Sequence, residues 1–244
     1  MNAASRPCLE VRDVTRSFGN KEVIHTTSLR IEQREIFGLL GPSGSGKTTL
    51  VKMMAGIDAP TSGEIRMLHT QLPQLAMMNK IGYMAQSDAL YMELTAKENL
   101  EFFGALFALR GKKLKERIDY VMSLVGLGDH LNQPVSDYSG GMKRRLSLGI
   151  ALLHDPEVLI LDEPTVGIDP LLRQSIWREL DSLSTAGRTI IVTTHVMDEA
   201  ERCHRLGLIR EGRLIAAGSP DDLKSLTGKT SIEEAFLYFG GVDA

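Results

Sequence analysis

The sequence lacks the features of secreted, membrane-spanning and nucleic-acid-binding proteins. It has only two cysteines in 244 residues, Cys8 and Cys203, which is too few for a disulfide framework and favours a reduced cytosolic protein. Its apolar runs, such as residues 158–161, are far shorter than the roughly 20 residues that a membrane-spanning helix needs. Its net charge of -3 offers no positive field for nucleic acid. We therefore expect a chain that neither crosses a bilayer by itself nor binds nucleic acid.

The rest of the composition is that of an ordinary globular protein. Hydrophobic residues make up 43% and charged residues 24% of the chain, so disorder is not expected. The length allows one large domain with a sizeable core. No apolar segment follows residues 1–7, so we expect no secretory signal there.

Two kinds of hydrophobic pattern divide the chain. Short alternating runs within residues 9–31, with Gly19-Asn20 between them, predict an antiparallel hairpin or small sheet. A strand–loop–helix unit over 35–55, a strand over 81–84 and strand–helix alternation after 154 predict an α/β core. A second hairpin is expected over 206–216, and short helices over 221–226 and 232–239.

The middle of the chain has helical spacing instead. Two apolar stripes there predict helices that pack through them: Leu100, Phe103, Leu106 and Phe107, then Ile118, Val121, Met122 and Val125. We predict one domain over 1–244, with the catalytic core and its antiparallel β subdomain in 1–86 and 155–244. An α-helical subdomain would be inserted over 87–154.

A glycine-rich segment directly follows the strand over 35–40. It matches the phosphate-loop pattern G-x-x-x-x-G-K-[ST] at every fixed position. The glycines let backbone N–H groups approach a phosphate, and the following helix directs its dipole at the same anion. A chance glycine-rich turn is the alternative, which the flanking strand and helix disfavour. The predicted nucleotide-binding residues are Gly41, Pro42, Ser43, Gly44, Ser45, Gly46, Lys47, Thr48 and Thr49.

Within this segment, Lys47 would neutralise the β- and γ-phosphates and the Thr48 hydroxyl would complete a Mg²⁺ shell. Two carboxylates follow the strand over 158–161, and beside a phosphate loop they gain a specific meaning. Asp162 can hold Mg²⁺ through its water shell. Glu163 can accept the proton of the attacking water. We predict Asp162 as a metal residue and Glu163 as the catalytic base.

Two more polar residues follow predicted strands. The strand before His195 should lie beside the strand that carries Asp162, which would bring the imidazole within reach of the γ-phosphate. A structural histidine is the alternative. Gln86, after the strand over 81–84, would contact Mg²⁺ and water and report the nucleotide state, unless it is an ordinary surface residue.

A second candidate phosphate-binding segment is Ser139–Gly141, called the signature segment below. It precedes a predicted helix over 142–153. Ser139, Gly140 and Gly141 are also common at an ordinary helix cap. The alternative is a helix N-terminus that binds the nucleotide held by a second copy of the chain.

In these motifs and their order, the chain resembles nucleotide-binding subunits of the ATP-binding cassette (ABC) transporter family over nearly its full length. The resemblance implies an α/β, P-loop NTPase (RecA-like) fold with ATP and Mg²⁺ as cofactors. It also implies a head-to-tail homodimer that holds each ATP between one copy's phosphate loop and the other copy's signature segment. The matching segments are the phosphate loop, Gln86, Tyr138–Met142, Asp162–Glu163, Val166–Asp169 and His195.

The resemblance places Asp169 in a loop that crosses the dimer axis and among the nucleotide-binding residues. It also shows three departures from the family pattern. Met142 replaces the usual glutamine, and Val166 replaces the commoner serine of the crossing loop. Phe18 stands where the family has an adenine-stacking tyrosine. The phenyl ring could stack on adenine, pack in the core or end a strand.

The function implied by the resemblance is ATP hydrolysis that drives a separate transmembrane permease subunit, with this chain peripheral at the cytoplasmic face of the cell membrane. Residues 138–145 and 163–170 are most similar to exporters of drugs, antibiotics or lipids, and the short tail after Gly218 also favours export. A non-transport ABC protein and a non-hydrolysing nucleotide switch are the alternatives. The transported substrate is not encoded in this chain.

The membrane partner would have to contact a surface that moves with the nucleotide state. The apolar run of Leu90, Tyr91 and Met92 follows Gln86 and lies close in sequence to Phe102. Packing inside the helical subdomain is the ordinary explanation for such a run. We predict instead that part of it is an exposed docking patch for a short cytoplasmic helix of the partner.

Overall fold

A computed structural model describes residues 7–87 and 89–241 of the chain. The expectation about a secretory signal falls largely on residues 1–6, which lie outside the described residues. Ten strands are described: β1 Leu9–Phe18, β2 Lys21–Ile31, β3 Ile36–Leu40, β4 Ser62–Met67, β5 Thr70–Leu72, β6 Ile81–Met84, β7 Val158–Asp162, β8 Thr189–Thr194, β9 Arg205–Arg210 and β10 Arg213–Gly218. The eight described α-helices are α1 Lys47–Met54, α2 Ala96–Leu106, α3 Gly111–Leu124, α4 Gly140–Leu152, α5 Pro170–Thr185, α6 Met197–Ala200, α7 Pro220–Thr227 and α8 Ile232–Phe239.

The strands form two sheets. The first has the order β2-β1-β4-β5, and all of its neighbours are antiparallel. The second has the order β10-β9-β3-β8-β7-β6, with parallel pairing everywhere except between β9 and β10. The predicted α/β class is therefore confirmed, together with the N-terminal antiparallel sheet and the late hairpin. Sequence pattern did not predict β4 and β5.

The second sheet is buried on both faces, because successive residues of its strands enter different cores. In β3, Ile36 and Leu40 belong to the first core, whereas Phe37 and Leu39 belong to the second. The first core also contains the apolar faces of α2 to α5, and the second contains the antiparallel sheet and α1. Each core holds one buried free cysteine, Cys203 in the first and Cys8 in the second.

The helical segment between β6 and β7 has one well-predicted and one partly wrong apolar stripe. The stripe from Ile118 to Val125 is buried, as expected for packing. In the other stripe Leu100 is buried, but the Leu106 side chain is 64% exposed, so its predicted packing is wrong. The reason is position, since Leu106 ends α2 just before the chain turns through Ala108, which has φ 57.

Capping explains where two helices of this segment begin. The Thr95 side chain accepts a hydrogen bond from Glu98 N, and the Glu98 carboxylate accepts one from Thr95 N, so α2 starts with a capping box. Ser139 caps α4 by accepting from Met142 N, and the helix therefore begins at Gly140 rather than at the predicted Met142. None of the described helices has the length and apolar content needed to cross a bilayer.

Candidate active site

The topology brings four loops to one edge of the parallel sheet. Leu40 pairs with Thr194, and Asp162 pairs with Thr193, so β3, β7 and β8 end side by side. On the far side of β7, Met84 of β6 pairs with Leu161. The predicted adjacency of the strands that lead to Asp162 and His195 is confirmed. Ligands of parallel α/β sheets bind at such carboxyl ends.

The glycine-rich loop has two positions that tolerate no side chain. A Cβ on Gly41 would collide with the carbonyl oxygen of Ile209. Gly46 has φ 103 as the residue before α1, and a Cβ there would lie 2.6 Å from Ile24 Cδ1. The backbone of the loop thus packs tightly against β2 and β9, and the first turn of α1 faces the cavity described below.

Lys47 lies under this loop, with only 5% of its surface exposed. Its Nζ donates to the Gly41 and Pro42 carbonyls at 2.7 and 3.0 Å, and lies 3.9 Å from Glu163 Oε1. Burial lowers the pKa of Lys47, while the charges of Glu163 and Asp162 oppose this shift. The ammonium is therefore held by loop carbonyls and directed at the carboxylate end of β7.

A cavity of 310 Å³ opens over the loop and the start of α1. Its lining combines backbone N–H groups, hydroxyls, one ammonium, one carboxylate and one carboxamide. Eight of the predicted site residues are brought together here, with Val23 of β2 as an additional wall. The predicted residues are Ser43, Gly44, Gly46, Lys47, Thr48, Thr49, Gln86 and Glu163.

Glu163 lies at the centre of the polar contacts of this cavity. Gln86 Nε2 donates to Glu163 Oε2 at 3.4 Å, and His195 Nδ1 lies 3.2 Å from Glu163 Oε1. The carboxylate is 12% exposed and the His195 side chain 45% exposed. Gln86 and His195 are therefore each within hydrogen-bond distance of Glu163, which brings the three predicted catalytic side chains together.

Asp162, at the end of β7, is completely buried. Its Oδ1 accepts from the Thr193 hydroxyl, while Oδ2 has no hydrogen-bond partner among the residues that the structure describes. A buried carboxylate oxygen without a partner is costly unless a cation or water satisfies it. This oxygen fits a hard, oxygen-binding cation such as Mg²⁺, which is commonly bound by one or two protein groups and completed by phosphate and water. No group of three or more histidine, cysteine, aspartate and glutamate side chains in the described part of the chain could hold a metal alone.

A second buried carboxylate, which sequence pattern did not single out, lies behind the two catalytic loops. Glu199 is 4% exposed and accepts hydrogen bonds from the hydroxyls of Thr165 and Thr194. Thr165 follows Glu163 by two residues, and Thr194 precedes His195. Glu199 therefore ties the loop after β7 to the loop after β8.

The signature segment does not line the cavity. Ser139 serves as the cap of α4, and Gly140 and the neighbouring Val166 and Gly167 are exposed. A Cβ on Gly141 would lie 3.0 Å from the Gly167 carbonyl oxygen, so this segment touches the loop after β7. It presents a helix N-terminus to solvent, and none of its residues is among those that line the 310 Å³ cavity.

Five other predicted nucleotide-binding residues are not among the residues that line the cavity: Gly41, Pro42 and Ser45 of the phosphate loop, Phe18 and Asp169. Asp169 caps α5 by accepting from Leu172 N at 3.0 Å. Phe18 ends β1 and is 51% exposed, so the alternative of a core role for it is wrong. The Arg16 guanidinium lies 4.5 Å from the Phe18 ring centroid and donates to the Ala59 carbonyl at 2.8 Å, which fixes one face of the ring.

Sequence reasoning also missed Arg144 of α4, which is 7% exposed. Its guanidinium donates to the backbone carbonyls of Ala85 and Gln86 at 2.7 and 2.9 Å. It also donates to the carbonyls of Asp162 and Glu163, the latter at 2.8 Å. A run of three basic residues at 143–145 gives no sign of which one turns inward.

Comparison with known protein families and curated sequences gives a consistent result. The sequence profile of the family described as ABC transporter matches residues 24–166. The probable multidrug ABC transporter ATP-binding protein YbhF of Escherichia coli is 40% identical over 236 residues, which cover 94% of this chain but 41% of YbhF. The Nod factor export ATP-binding protein I of Rhizobium etli is 43% identical over 218 residues, 88% of this chain and 69% of that protein. The chain thus spans less than half the length of YbhF.

Solved structures agree with the sequence relatives. An ATP-binding subunit of an ABC transporter matches with a TM-score of 0.88 and 26% identity, over 96% of this chain and 99% of that chain. A dimeric bacterial ABC transporter cassette matches with a TM-score of 0.82 and 26% identity, over 86% of this chain and 98% of that chain. The same coverage and identity, with a TM-score of 0.81, are found for a dimeric post-hydrolysis cassette bound to ADP and Pi.

Proposed function

Because this chain belongs to the ABC transporter family, we propose that it binds ATP with Mg²⁺ in the cavity over the phosphate loop and hydrolyses it to drive a separate membrane subunit. The observation that carries the proposal is the position of Glu163, whose carboxylate contacts Gln86 and His195 and lies 3.9 Å from Lys47 Nζ. A carboxylate held among a cation, an amide and an imidazole at the mouth of a phosphate cradle is suited to orient and deprotonate water.

Each residue of the site would have a separate task. The N–H groups of residues 43–49 and Lys47 Nζ bind the β- and γ-phosphates, and Lys47 exchanges its carbonyl contacts for phosphate oxygens. Thr48 and Asp162 would hold Mg²⁺, with Gln86 beside them; Asp162 Oδ2 has no hydrogen-bond partner among the described residues. When bound, the cation supplies charge neutralisation on the phosphate oxygens. Glu163 accepts the water's proton, and His195 orients that carboxylate and the γ-phosphate.

A second copy would complete the site. Two apolar side chains near the signature segment are exposed, Val166 at 47% and Leu171 at 79%. The signature segment itself exposes the N–H groups of a helix N-terminus. A head-to-tail homodimer would bring the signature segment of one copy onto the ATP of the other, with Asp169 near the crossing point. The dimeric cassettes among the solved relatives support this arrangement.

The membrane partner would dock on the groove between the α/β core and the helical segment, which we propose to act as an inserted subdomain over 87–154. Cavities of 170 and 260 Å³ share the wall residues Tyr83, Phe103 and Ile150. At their rim, the exposed rings of Tyr91 and Phe102 contact edge to face at 4.8 Å. Leu90 and Met92 are half-buried and pack against the first core, as in the ordinary explanation.

A single cysteine at Tyr91 should therefore cross-link to cytoplasmic loops of the partner, and the yield should change when ATP is added. A cysteine at Lys113, on the outer surface of α3, is the matched control and should not cross-link. Efficient cross-links at position 113 with none at 91 would place the docking surface elsewhere.

The names of two relatives support export as the direction of transport. YbhF is described as a probable multidrug transporter protein and the Rhizobium protein as part of Nod factor export. We propose that this chain likewise powers export, attached to the cytoplasmic face of the cell membrane through its partner. The groove beside α2 is the part of its surface that suits this attachment.

Phosphate release from Mg·ATP is the direct test of hydrolysis. The wild-type chain should release phosphate steadily. Lys47→Ala should bind no ATP, because Lys47 is the one cationic side chain among the described residues that line the cavity. Lys52→Ala, on the same helix but outside the cavity lining, is the control and should behave like the wild type. ATP binding without phosphate release would favour the non-hydrolysing switch, and near-normal ATP affinity of Lys47→Ala would refute the cradle assignment.

A further inference from the structure

Arg144 connects two parts of the molecule that sequence motifs treat as separate. It lies on α4, five residues after the Ser139 cap, and its guanidinium reaches across to the α/β core. There it donates to four carbonyls in two pairs, one pair after β6 and one at the end of β7. A planar fork with five donors can satisfy such a set, and a lysine cannot.

The four carbonyls belong to the backbone that carries the catalytic side chains. One pair includes the Gln86 carbonyl and the other includes the Glu163 carbonyl. Glu163 has φ 52, a conformation that costs free energy for a non-glycine residue and persists only where its surroundings hold it. Its carbonyl accepts from Arg144, and its N–H donates to the Thr193 hydroxyl at 2.9 Å. The Glu163 carbonyl also accepts a hydrogen bond from Val166 N at 3.4 Å, so Arg144 supplies one of the three hydrogen bonds described for this backbone.

The connection to the signature segment is rigid. Ser139 and Arg144 are separated by about 7.5 Å along one helix, at 1.5 Å rise per residue. A shift of the first turn of α4 would therefore move the Arg144 guanidinium together with the carbonyls that it holds, because packed elements move as units rather than deform.

On the basis of the proposed function, we propose that Arg144 is a positioning residue that couples the two ATP sites of the dimer. Contact of the signature segment with the partner's ATP sets the position of α4, and Arg144 transmits that position to Gln86 and Glu163 of its own site. Hydrolysis at one site then depends on nucleotide at the other, without any side chain that touches both.

The neighbouring residue offers a matched control. Arg145 lies on the same helix and also donates to two backbone carbonyls, those of Val125 and Gly126, each at 3.2 Å. Both of these acceptors lie within the helical segment, so Arg145 makes a similar bond set that does not reach the catalytic strands. Arg145 is half-buried and Arg144 buried, and a purely structural role of carbonyl-binding arginines on α4 would affect both residues.

The test compares Arg144→Lys, Arg144→Met and Arg145→Lys in the full chain. Rates are expressed per bound nucleotide, so that unfolded protein does not lower the apparent rate. The dependence of phosphate release on ATP concentration gives kcat, KM and the cooperativity. For Arg144→Lys we expect kcat lower by about tenfold, KM within about twofold, and weakened cooperativity in ATP, since only the bound-state geometry changes. Arg144→Met should lose more, and Arg145→Lys should retain the wild-type values.

Wild-type kcat and cooperativity in Arg144→Lys would overturn the proposal, as would an equal loss in Arg145→Lys. A rise in KM with unchanged kcat would also overturn it, because it would assign Arg144 to ATP binding. These outcomes are separate from failure of the proposed function, which would appear as absent hydrolysis in the wild type or intact binding in Lys47→Ala.

Discussion

The phosphate loop and the signature segment both lead into the N-terminus of a helix, yet their surroundings in the fold differ. The phosphate loop lies at the junction of β3, β7 and β8, contains the buried Lys47 and faces the carboxylate of Glu163, the proposed base, in the same chain. The signature segment begins α4 on an exposed surface, and its near neighbour is the backbone of Gly167. One site is fully equipped with charged groups and the other supplies only N–H groups and a hydroxyl. This difference is what the proposed head-to-tail homodimer requires, in which the signature segment contacts a nucleotide held by another copy.

Glu163→Gln should break the cradle side of this contrast with the largest effect. We expect near-normal ATP binding and a kcat lower by roughly 100-fold or more, because general-base catalysis commonly contributes ~10²–10⁴. The ATP that remains should hold two chains together, so size exclusion with Mg·ATP should show a dimer for the variant and mostly monomer for the wild type. Glu157→Gln, at an exposed ion pair with Lys80, is the control. An ordinary rate for Glu163→Gln would exclude this carboxylate as the base.

Ser139→Arg should break the signature side. The cradle is unchanged, so monomeric ATP affinity should be normal, whereas hydrolysis should fall at least about tenfold because the bulky cation misplaces the partner's nucleotide. A mixture with Lys47→Ala should restore at most one composite site, formed by the cradle of the Ser139→Arg chain and the intact Ser139 of the other. Loss of ATP binding by the Ser139→Arg monomer would contradict the assignment of this segment to a second copy.

Thr165→Val should show how the loop between the two sites is held. The substitution removes a hydroxyl that donates to the buried Glu199 but keeps the shape of the side chain. We expect kcat lower by roughly fivefold and unchanged ATP affinity, which corresponds to one hydrogen bond of ~1 kcal/mol. Thr185→Val removes an exposed hydroxyl on α5 and should have no effect. Equal rates for the two variants would show that Glu199 does not position the loop.

Phe18→Ala should give the smallest effect. If the exposed ring stacks on adenine, the variant should bind ATP several-fold more weakly, which corresponds to ~1 kcal/mol, the lower end of the range for a stacked base. Phe18→Tyr should bind as the wild type does. Hydrolysis at saturating ATP should be unchanged in both variants. An unchanged ATP affinity of Phe18→Ala would exclude stacking on adenine and favour the alternative, in which Phe18 only ends β1 beside Arg16.

The features that could be predicted from sequence share one property, which is that a local pattern determines them. The phosphate loop, the carboxylates after β7 and His195 after β8 each combine a buried strand with a polar ending, and the parallel sheet then gathers the strand ends. By contrast, Arg144 and Glu199 depend on contacts across 18 to 59 and 5 to 34 residues of sequence. No local period shows which arginine of 144 and 145 turns toward the core.

The errors have physical reasons of the same kind. Strand β5 has three residues, Thr70–Leu72, which is too short to show an alternation. Leu106 continues the helical period of its stripe, but the chain turns away from the first core directly after it. The nucleotide role predicted for Asp169 is not one of these errors, because the structure shows this residue only as the cap of α5. Its contact with nucleotide stays a prediction.

The two buried cysteines make the stability of each core measurable on its own. Burial raises the pKa of the Cys8 thiol to about 11, opposed by a hydrogen bond with Thr189, and burial also raises the pKa of Cys203. Only the thiolate reacts with disulfide reagents, so neither cysteine should react while its core stays folded. Each thiol can become labelled only during a fluctuation that exposes it to solvent.

Cys8 belongs to the core under the antiparallel sheet and Cys203 to the core shared with the helices. Labelling rates of Cys8→Ser and Cys203→Ser chains would therefore give two separate opening free energies within one domain. Equal rates would describe a single cooperative unit. A faster labelling rate at Cys203 that slows with Mg·ATP would show that nucleotide stabilises only the core shared with the helices. This measurement needs no probe other than the native thiols.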